Sequence, residues 1–218
     1  MIPYWKYRLF VSALLVMVAA CKDQSKQEEI KTDSLATDSI RIPKLGPPEP
    51  HDSILSFLTK KVLILIKEKN YVSFAENIHP VSGLRFSPYG YIDSSKDVRL
   101  TKDRFLSLVK NKRQKLAWGS YDGSGESILL TLEEYFKEFV YDVDFVNPEK
   151  LATNKMIGLG NSPNNLESIY PGFPFTESHF SGFDKKYEGM DWRSLRLVFK
   201  KEGDHYYLVA IIHDQWTI

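Results

Sequence analysis

The apolar residues between positions 54 and 66 recur at three- and four-residue spacing, the periodicity of one face of an α-helix. Asp52 or Ser53 can accept a hydrogen bond from the free amides of a first helical turn, so the pattern predicts a helix that begins there. A shorter helix begins at Tyr71 and has to end near His79, because Pro80 disfavours helical geometry in the residue before it. The positions that define the first helix are Ile54, Leu55, Leu58, Val62, Leu65 and Ile66.

Two more helices are indicated by their capping residues. Thr101 can cap a helix over residues 102–110. Thr131 and Glu134 have the spacing of a capping box, in which each side chain bonds the backbone amide of the other residue, and they predict a helix that runs to about Val140.

Short apolar stretches bounded by turn residues predict strands in the middle of the chain. Pro88 has no amide hydrogen to donate to a ladder, so the stretch around it is expected at a sheet edge. Asp122–Gly125 and Asn161–Asn164 have the composition of turns. The predicted strands are 83–86 with 89–91, 115–121, 155–159 and 166–170.

The strongest strand pattern closes the chain. Leu195, Leu197 and Phe199 alternate with charged residues, a turn follows at residues 202–204, and the apolar stretch 206–212 can pair back. Helices that come first and an antiparallel sheet that comes last predict an α+β fold.

The N-terminus has the three parts of a secretory signal peptide. Lys6 and Arg8 precede a mostly apolar stretch over residues 9–20, and small residues lead to Cys21, the one cysteine of the chain. As a helix the stretch would span roughly 18 Å, too little for a bilayer core of roughly 30 Å. We therefore expect residues 1–20 to be removed as a signal peptide.

The segment Val18–Cys21 resembles the lipobox of bacterial lipoproteins. The resemblance implies that the Cys21 thiol carries a diacylglyceryl group, that palmitate or a similar chain acylates the new amine, and that two or three chains anchor the protein stably to a membrane. Lipoproteins kept at the inner membrane often carry an aspartate after the cysteine, and in this chain Lys22 follows it. The expected location is the cell envelope, at the outer membrane, with the side that the domain faces left open.

Composition separates a linker from a single domain. Residues 22–50 lack aromatic side chains and end in a group of prolines, which predicts a disordered tether after the lipidated cysteine. Residues 51–218 suit one α+β domain. The chain has 29 basic and 28 acidic residues, and removal of the signal subtracts two basic ones, so the mature net charge is about −1. A neutral chain is a poor nucleic-acid partner.

The order of elements in residues 51–218 resembles the nuclear transport factor two-like superfamily of cone-shaped, cystatin-like folds. A leading helix pair that ends in His79-Pro80 precedes short strands and then long terminal strands. The resemblance implies a curved antiparallel sheet wrapped around helices, with a pocket at its wide end. The segments Phe86–Tyr89, Trp118–Gly123 and His213–Ile218 also resemble segments of uncharacterised bacterial proteins, a likeness that carries no activity.

Two neighbouring residues of the last strand are the candidate acid-base groups, His213 and Asp214. Side chains alternate along a strand, so the two lie on opposite faces and do not form a pair with each other. Either one can instead face a pocket and act as a general base. His79 is a further candidate base, but a structural role at a helix end explains it better.

Aromatic residues near polar ones on the expected strands indicate a ligand pocket. The proposed ligand-binding residues are Arg85, Tyr89, Trp118, Tyr121 and Trp216, with Asp214 as a polar contact. Tyr170, Phe173, Phe175 and Phe180 form either a hydrophobic lid or, with more weight, a loop packed on the core.

Other motifs carry no chemistry that the sequence supports. The histidines lack zinc-type spacing, and Asp142, Asp144 and Asn147 lack the glycine and glutamate of a calcium loop, so neither a metal nor a cofactor is expected. Ser120 and Ser124 belong to a glycine-rich turn and not to a nucleophile elbow.

Three functions stay open at this point. The favoured one is a non-catalytic envelope lipoprotein that binds a small molecule or a protein. The second is a small cone-fold hydrolase, isomerase or dehydratase with Asp214 or His213 as general base. The third is an assembly lipoprotein that acts through a flat apolar patch.

Overall fold

A computed structural model describes residues 50–217, and the predicted signal peptide, Cys21 and the predicted tether lie outside that range. The helices are α1 (Pro50–Lys67), α2 (Tyr71–Ala75), α3 (Lys102–Lys110), α4 (Leu132–Tyr135) and α5 (Leu166–Ile169). A π-helical turn (Phe136–Val140) continues α4, and a 3-10 turn spans Lys185–Tyr187. The strands are β1 (Leu84–Ser87), β2 (Val98–Leu100), β3 (Lys115–Ser120), β4 (Ser127–Thr131), β5 (Lys150–Thr153), β6 (Phe175–Phe180), β7 (Arg193–Glu202) and β8 (His205–Gln215).

The fold is α+β, as the sequence predicts, and its centre is a six-stranded mixed sheet in the order β2-β1-β8-β7-β6-β5. β1 runs parallel to β8, whereas the other neighbours are antiparallel. The predicted terminal hairpin is confirmed: β7 and β8 pair from Arg193 with Gln215 to Glu202 with His205. β3 and β4 form a separate two-stranded ribbon.

The sheet has an apolar core on each face. On the inner face, Leu195, Leu197 and Ile211 pack with α1, α2, α3 and the π-helical turn. On the outer face, Val198 and Ile212 pack with α5 and the chain that leads to it. The two faces therefore separate the side chains of each long strand into two environments, and this separation decides where the candidate residues lie.

Local capping chemistry accounts for the helices that were predicted correctly. The Thr101 hydroxyl accepts a hydrogen bond from the Arg104 amide at 3.2 Å, and α3 covers residues 102–110 as expected. Thr131 and Glu134 form the predicted capping box, with the Thr131 amide donating to Glu134 Oε2 at 2.8 Å. α2 ends at Ala75, before His79.

Three strand predictions are wrong. β1 lies between β2 and β8, so it is not an edge strand, and residues 89–91 do not continue it. Residues 155–159 form no strand, since the strand of that region is β5, which ends at Thr153. Residues 166–169 are helical because the Asn164 side chain accepts a hydrogen bond from the Leu166 amide and thereby helps to start a short helix.

Candidate functional site

An open cleft of about 650 Å³ lies where β7 begins and β8 ends, and we call it the aromatic cleft. The β3–β4 ribbon, the π-helical turn and the chain after β1 form its other walls. The residues used below that line it are Tyr89, Tyr121, Lys137, Asp142, Arg193 and Gln215. The cleft thus collects aromatic, cationic, anionic and amide groups from five separate parts of the chain.

The π-helical turn positions one wall of this cleft. Its wider spacing is marked by the Tyr141 amide, which donates to the Phe136 carbonyl at 2.7 Å, five residues back. Such turns occur frequently at functional sites. In this protein the turn directs Phe139 toward Tyr89 and Tyr121, with ring centroids 5.8 and 6.1 Å away.

A stack of aromatic rings connects this wall to the inner core. Trp118 stacks on Tyr135 at 4.0 Å, Tyr135 stacks on Phe139 at 5.3 Å, and Phe139 meets the His213 ring edge-on at 5.9 Å. Trp118 also donates its indole hydrogen to the Leu130 carbonyl. Because the stack is buried, the wall of the cleft is held by well-packed rings.

Three residues, Asp142, Arg193 and His213, meet at the base of the cleft. Arg193 Nε donates to Asp142 Oδ2 at 2.9 Å. His213 Nε2 lies 3.4 Å from the same oxygen, and His213 Nδ1 lies 3.2 Å from the Pro88 carbonyl. Both ring nitrogens of His213 therefore lie near oxygen atoms, one from the Asp142 side chain and one from the backbone.

Asp142 is held as a carboxylate. Burial by itself raises its pKa, but the His213 ring and the Arg193 guanidinium outweigh burial and bring the pKa below its ordinary value. Its second oxygen, Oδ1, is buried and has no hydrogen-bond partner among the described residues. The base of the cleft therefore holds a charged carboxylate beside the Arg193 guanidinium.

Tyr89 and Tyr121 fix the aromatic rim. The Tyr89 hydroxyl accepts a hydrogen bond from the Asp122 amide at 3.2 Å, which ties the ribbon turn to the chain after β1. Burial raises the pKa of the Tyr121 hydroxyl, and its hydrogen bond to Glu138 raises it further. Both phenols are thus neutral donors or acceptors at the rim across the physiological pH range.

The five residues proposed for a ligand pocket do not share one cavity. Tyr89 and Tyr121 line the cleft, and Trp118 lies beneath it in the stack, fully buried. Arg85 points to the outer face, where its Nε donates to the Tyr170 hydroxyl at 3.2 Å. Trp216 lies beyond the end of β8, 44% exposed, and does not line the cleft.

His213 and Asp214 lie on opposite faces of β8, as the alternation of side chains predicts. His213 points to the inner face and the base of the cleft. Asp214 points to the outer face, where its Oδ2 accepts a hydrogen bond from Arg196 Nη1 at 2.7 Å. Burial raises the pKa of Asp214, although Arg196 acts in the opposite direction. Asp214 is committed to a buried ion pair.

That ion pair belongs to a buried network that holds residues 154–165 against the outer face. Glu177 accepts hydrogen bonds from the amides of Ile157 and Gly158, each at 2.8 Å, and from the Ser194 hydroxyl at 2.6 Å. Arg196 completes the network through Glu177 and through the Gly158 carbonyl at 2.7 Å. Every carboxylate in it is partnered, so the network is structural in kind.

The remaining candidates also have structural contacts. His79 Nδ1 accepts hydrogen bonds from the amides of Val81 and Ser82, and its Nε2 lies 2.8 Å from Glu202, so its ring closes the turn after α2. Asp144 accepts hydrogen bonds from Lys67 and the Tyr141 hydroxyl.

The aromatic residues proposed as a lid or loop lie in two different places in the fold. Phe175 and Phe180 are the two ends of strand β6, and Tyr170 and Phe173 pack below it on the outer core.

Arg193 and Lys137 are residues of the cleft that the sequence analysis missed, and Asp142 was considered there only as part of a cation loop. Arg193 follows an exposed turn region and has the pattern of a polar strand start, while Lys137 has that of the solvent side of a helix.

Residues 52–217 contain no group of three histidine, cysteine or acidic side chains placed to hold a metal ion. Within the same part of the chain, no helix combines the length and apolar character that a membrane crossing needs. Comparison with known proteins finds no family model, no curated protein and no solved structure that matches the chain.

Proposed function

We propose that the chain is a lipid-anchored protein of the bacterial cell envelope whose domain binds a small polar ligand in the aromatic cleft. The anchor follows from the resemblance of Val18–Cys21 to a lipobox, and an outer-membrane location follows from Lys22. The observation that carries the ligand site is the convergence of Tyr89 and Tyr121 on the ion pair of Asp142 and Arg193.

The chemistry of the cleft favours a neutral, hydroxyl-rich ligand such as a saccharide. Aromatic rings present an apolar face to the C–H groups of a sugar, while carboxylate, amide and ammonium groups bond its hydroxyls. The partly exposed Asp142 carboxylate supplies an acceptor, and Lys137 and Gln215 supply donors. Acidic residues outnumber basic ones around the cleft, which disfavours an anionic ligand.

The cone-fold resemblance supports the same position for the site. The resemblance implies a pocket at the wide end of a curved antiparallel sheet, whereas this sheet is mixed because β1 runs parallel to β8. We propose that the cleft between the sheet end and the inner-face helices corresponds to that pocket.

A catalytic role is the second candidate, and one contact favours it: His213 lies against Asp142 at the base of the cleft. Two facts weigh against it. His213 is 0% exposed and does not line the cleft, and Asp142 has a lowered pKa, which makes it a weak base. Asp214 belongs to the network on the other face of the sheet.

Saccharide titration monitored by NMR tests the ligand proposal. N-acetylglucosamine and a panel of mono- and disaccharides are added to the labelled protein, and we expect shifts in the signals of Tyr89, Tyr121 and Gln215. Tyr121→Ala weakens the binding by about tenfold or more, since it removes one aromatic wall. Leu129→Ala is the matched control, because Leu129 is 55% exposed on the same ribbon and does not line the cleft. If none of the saccharides shifts the NMR signals of the cleft residues, the proposal is wrong.

A further inference from the structure

One end of the domain exposes large apolar side chains where the described chain begins. α1 starts at Pro50, and its first two turns expose Ile54 by 46% and Phe57 by 69%. Leu55 and, one turn further on, Thr59 are buried against the core. The exposed pair therefore belongs to the solvent side of α1 and contributes little to the fold.

The tip of the β7–β8 hairpin lies beside this part of α1. Tyr206 and Tyr207 line a shallow depression of about 570 Å³ together with Ile54, Phe57 and Lys61. Lys201 Nζ lies 5.8 Å from the centre of the Tyr206 ring. We call this surface the hairpin-end face, made up of Ile54, Phe57, Lys60, Lys61, Lys201, Tyr206 and Tyr207.

Its composition is that of a surface that meets the boundary between water and lipid. Aromatic rings concentrate at the headgroup level, and lysines place their stems on apolar surface while the ammonium stays in water. Within residues 52–217, Lys60, Lys61 and Lys201 form no ion pair, whereas the nearby Lys102 and Lys200 pair with Glu76 and Glu202. The charges left on and beside the face are therefore three cations, with Lys60 next to Phe57, and the Asp204 carboxylate at the hairpin turn.

The aromatic cleft lies at the opposite end of the same sheet. β8 passes from His205 at the hairpin-end face to Gln215 at the cleft, 11 residues that span roughly 35 Å as a strand. The first turns of α1 therefore lie at the end of the domain far from the cleft.

We propose that the hairpin-end face rests on the lipid surface and turns the aromatic cleft away from the membrane. This inference depends on the proposed function, because the lipid on Cys21 supplies the attachment. The 28 residues between Cys21 and Pro50 are joined to the end that carries the face, and a linker of that length gives it a high effective concentration at the bilayer. Weak contacts from two apolar side chains and three lysines are sufficient under that condition.

Fluorescence quenching by brominated lipid tests the orientation. The full lipidated protein is reconstituted into vesicles of phosphatidylethanolamine and phosphatidylglycerol, part of which carries dibrominated acyl chains. Phe57→Trp places an indole on the hairpin-end face, and Leu129→Trp places one at an exposed apolar position of the cleft end. We expect the Phe57→Trp emission to fall by about half and the Leu129→Trp emission to stay within about a tenth of its value without bromine, after subtraction of the wild-type signal.

A charged substitution on the hairpin-end face provides a second test. Phe57→Asp should abolish recruitment of unlipidated Cys21→Ser protein, expressed without residues 1–20, to the same vesicles at high lipid concentration, and thermal unfolding checks that the variant is folded. Equal quenching of the two indoles in lipidated protein would contradict the proposed contact between the hairpin-end face and the lipid surface. It would leave the proposed lipid anchor at Cys21 unaffected. Protein that carries no lipid and does not float with the vesicles overturns the anchor, and the inference fails with it.

Discussion

Arg196 and Asp214 are joined across the β7–β8 pair on the outer face of the sheet, with Nη1 of the arginine 2.7 Å from Oδ2 of the aspartate. The arginine is fully buried and also lies 3.1 Å, at Nε, from Oε2 of Glu177. One guanidinium therefore neutralises two carboxylates that come from different strands. Replacement of such a group leaves charges that have no access to water.

We expect Arg196→Met to lower the free energy of unfolding by about 3–5 kcal/mol, because Glu177 and Asp214 then stay buried without a counter-charge. Lys200→Met is the control on the same strand, since Lys200 is partly exposed and pairs only with exposed Glu202. Urea denaturation of the wild type and both variants measures the difference. An Arg196→Met protein within about 1 kcal/mol of the wild type would show that the network is not a source of stability.

The same residues show which part of the fold the sequence could predict. Helix starts at Thr101 and Thr131 depend on hydrogen bonds within three residues, so local sequence was sufficient. β6 was missed because Glu177 and His179 are charged or polar and yet buried, and their partners are distant in the chain. A strand whose burial depends on an ion pair has no apolar alternation to reveal it.

Prediction of the candidate site from the sequence has the same limit, because its residues come from distant parts of the chain. Tyr89 and Tyr121 were proposed from their aromatic character, and the fold brings them together. Asp142 and Arg193 meet across a separation of 51 residues, and neither has a local pattern that identifies the other. Arg85 and Asp214 were placed in the same pocket as the aromatics, but they point to the outer face.

Asp97 gives a pH-dependent contribution to stability. Burial raises its pKa to about 7 from an ordinary value of 3.8, and its Oδ2 is buried without a hydrogen-bond partner among the described residues. Between these two values the folded protein holds a proton that the unfolded chain has lost, so stability falls as the pH rises through this window. The loss of stability from ionised Asp97 is complete above the pKa of the folded protein and absent below the pKa of the unfolded chain.

Asp97→Asn removes that dependence because the amide is uncharged at every pH. We expect the variant to be more stable than the wild type by about 1–2 kcal/mol at about pH 8, after allowance for partial solvent screening, with the advantage lost near pH 4. Asp103→Asn, at an exposed position of α3, is the control. Urea denaturation at both pH values gives the comparison, and an advantage that does not change with pH contradicts the assignment.

The contribution of Asp142 to stability depends on pH in the direction opposite to that of Asp97. Its folded pKa is lower than its ordinary value because the His213 ring and Arg193 outweigh the effect of burial, so its contribution is present above the unfolded pKa and is lost as the pH falls through the folded pKa. Asp142→Asn should therefore cost about 1.5–3 kcal/mol at neutral pH, with the gap to the wild type closing below about pH 4. The measurement is the free energy of unfolding across that range, with Glu126→Gln as an exposed control. A gap that widens in acid is incompatible with this sign.

Cys21 offers the most direct test of the envelope assignment, because it is the one thiol of the chain and no second cysteine can take up a lipid. When the gene is expressed in a Gram-negative bacterium fed an alkyne analogue of palmitate, the wild-type protein should be labelled, partition into the detergent phase and have an intact mass that begins at Cys21. Cys21→Ala should remain unlabelled and keep residues 1–20, since the thiol has to be modified before the signal is cut. Cleavage of the Cys21→Ala chain together with secretion of an unlabelled wild type would identify residues 1–20 as an ordinary signal peptide and remove the lipid anchor.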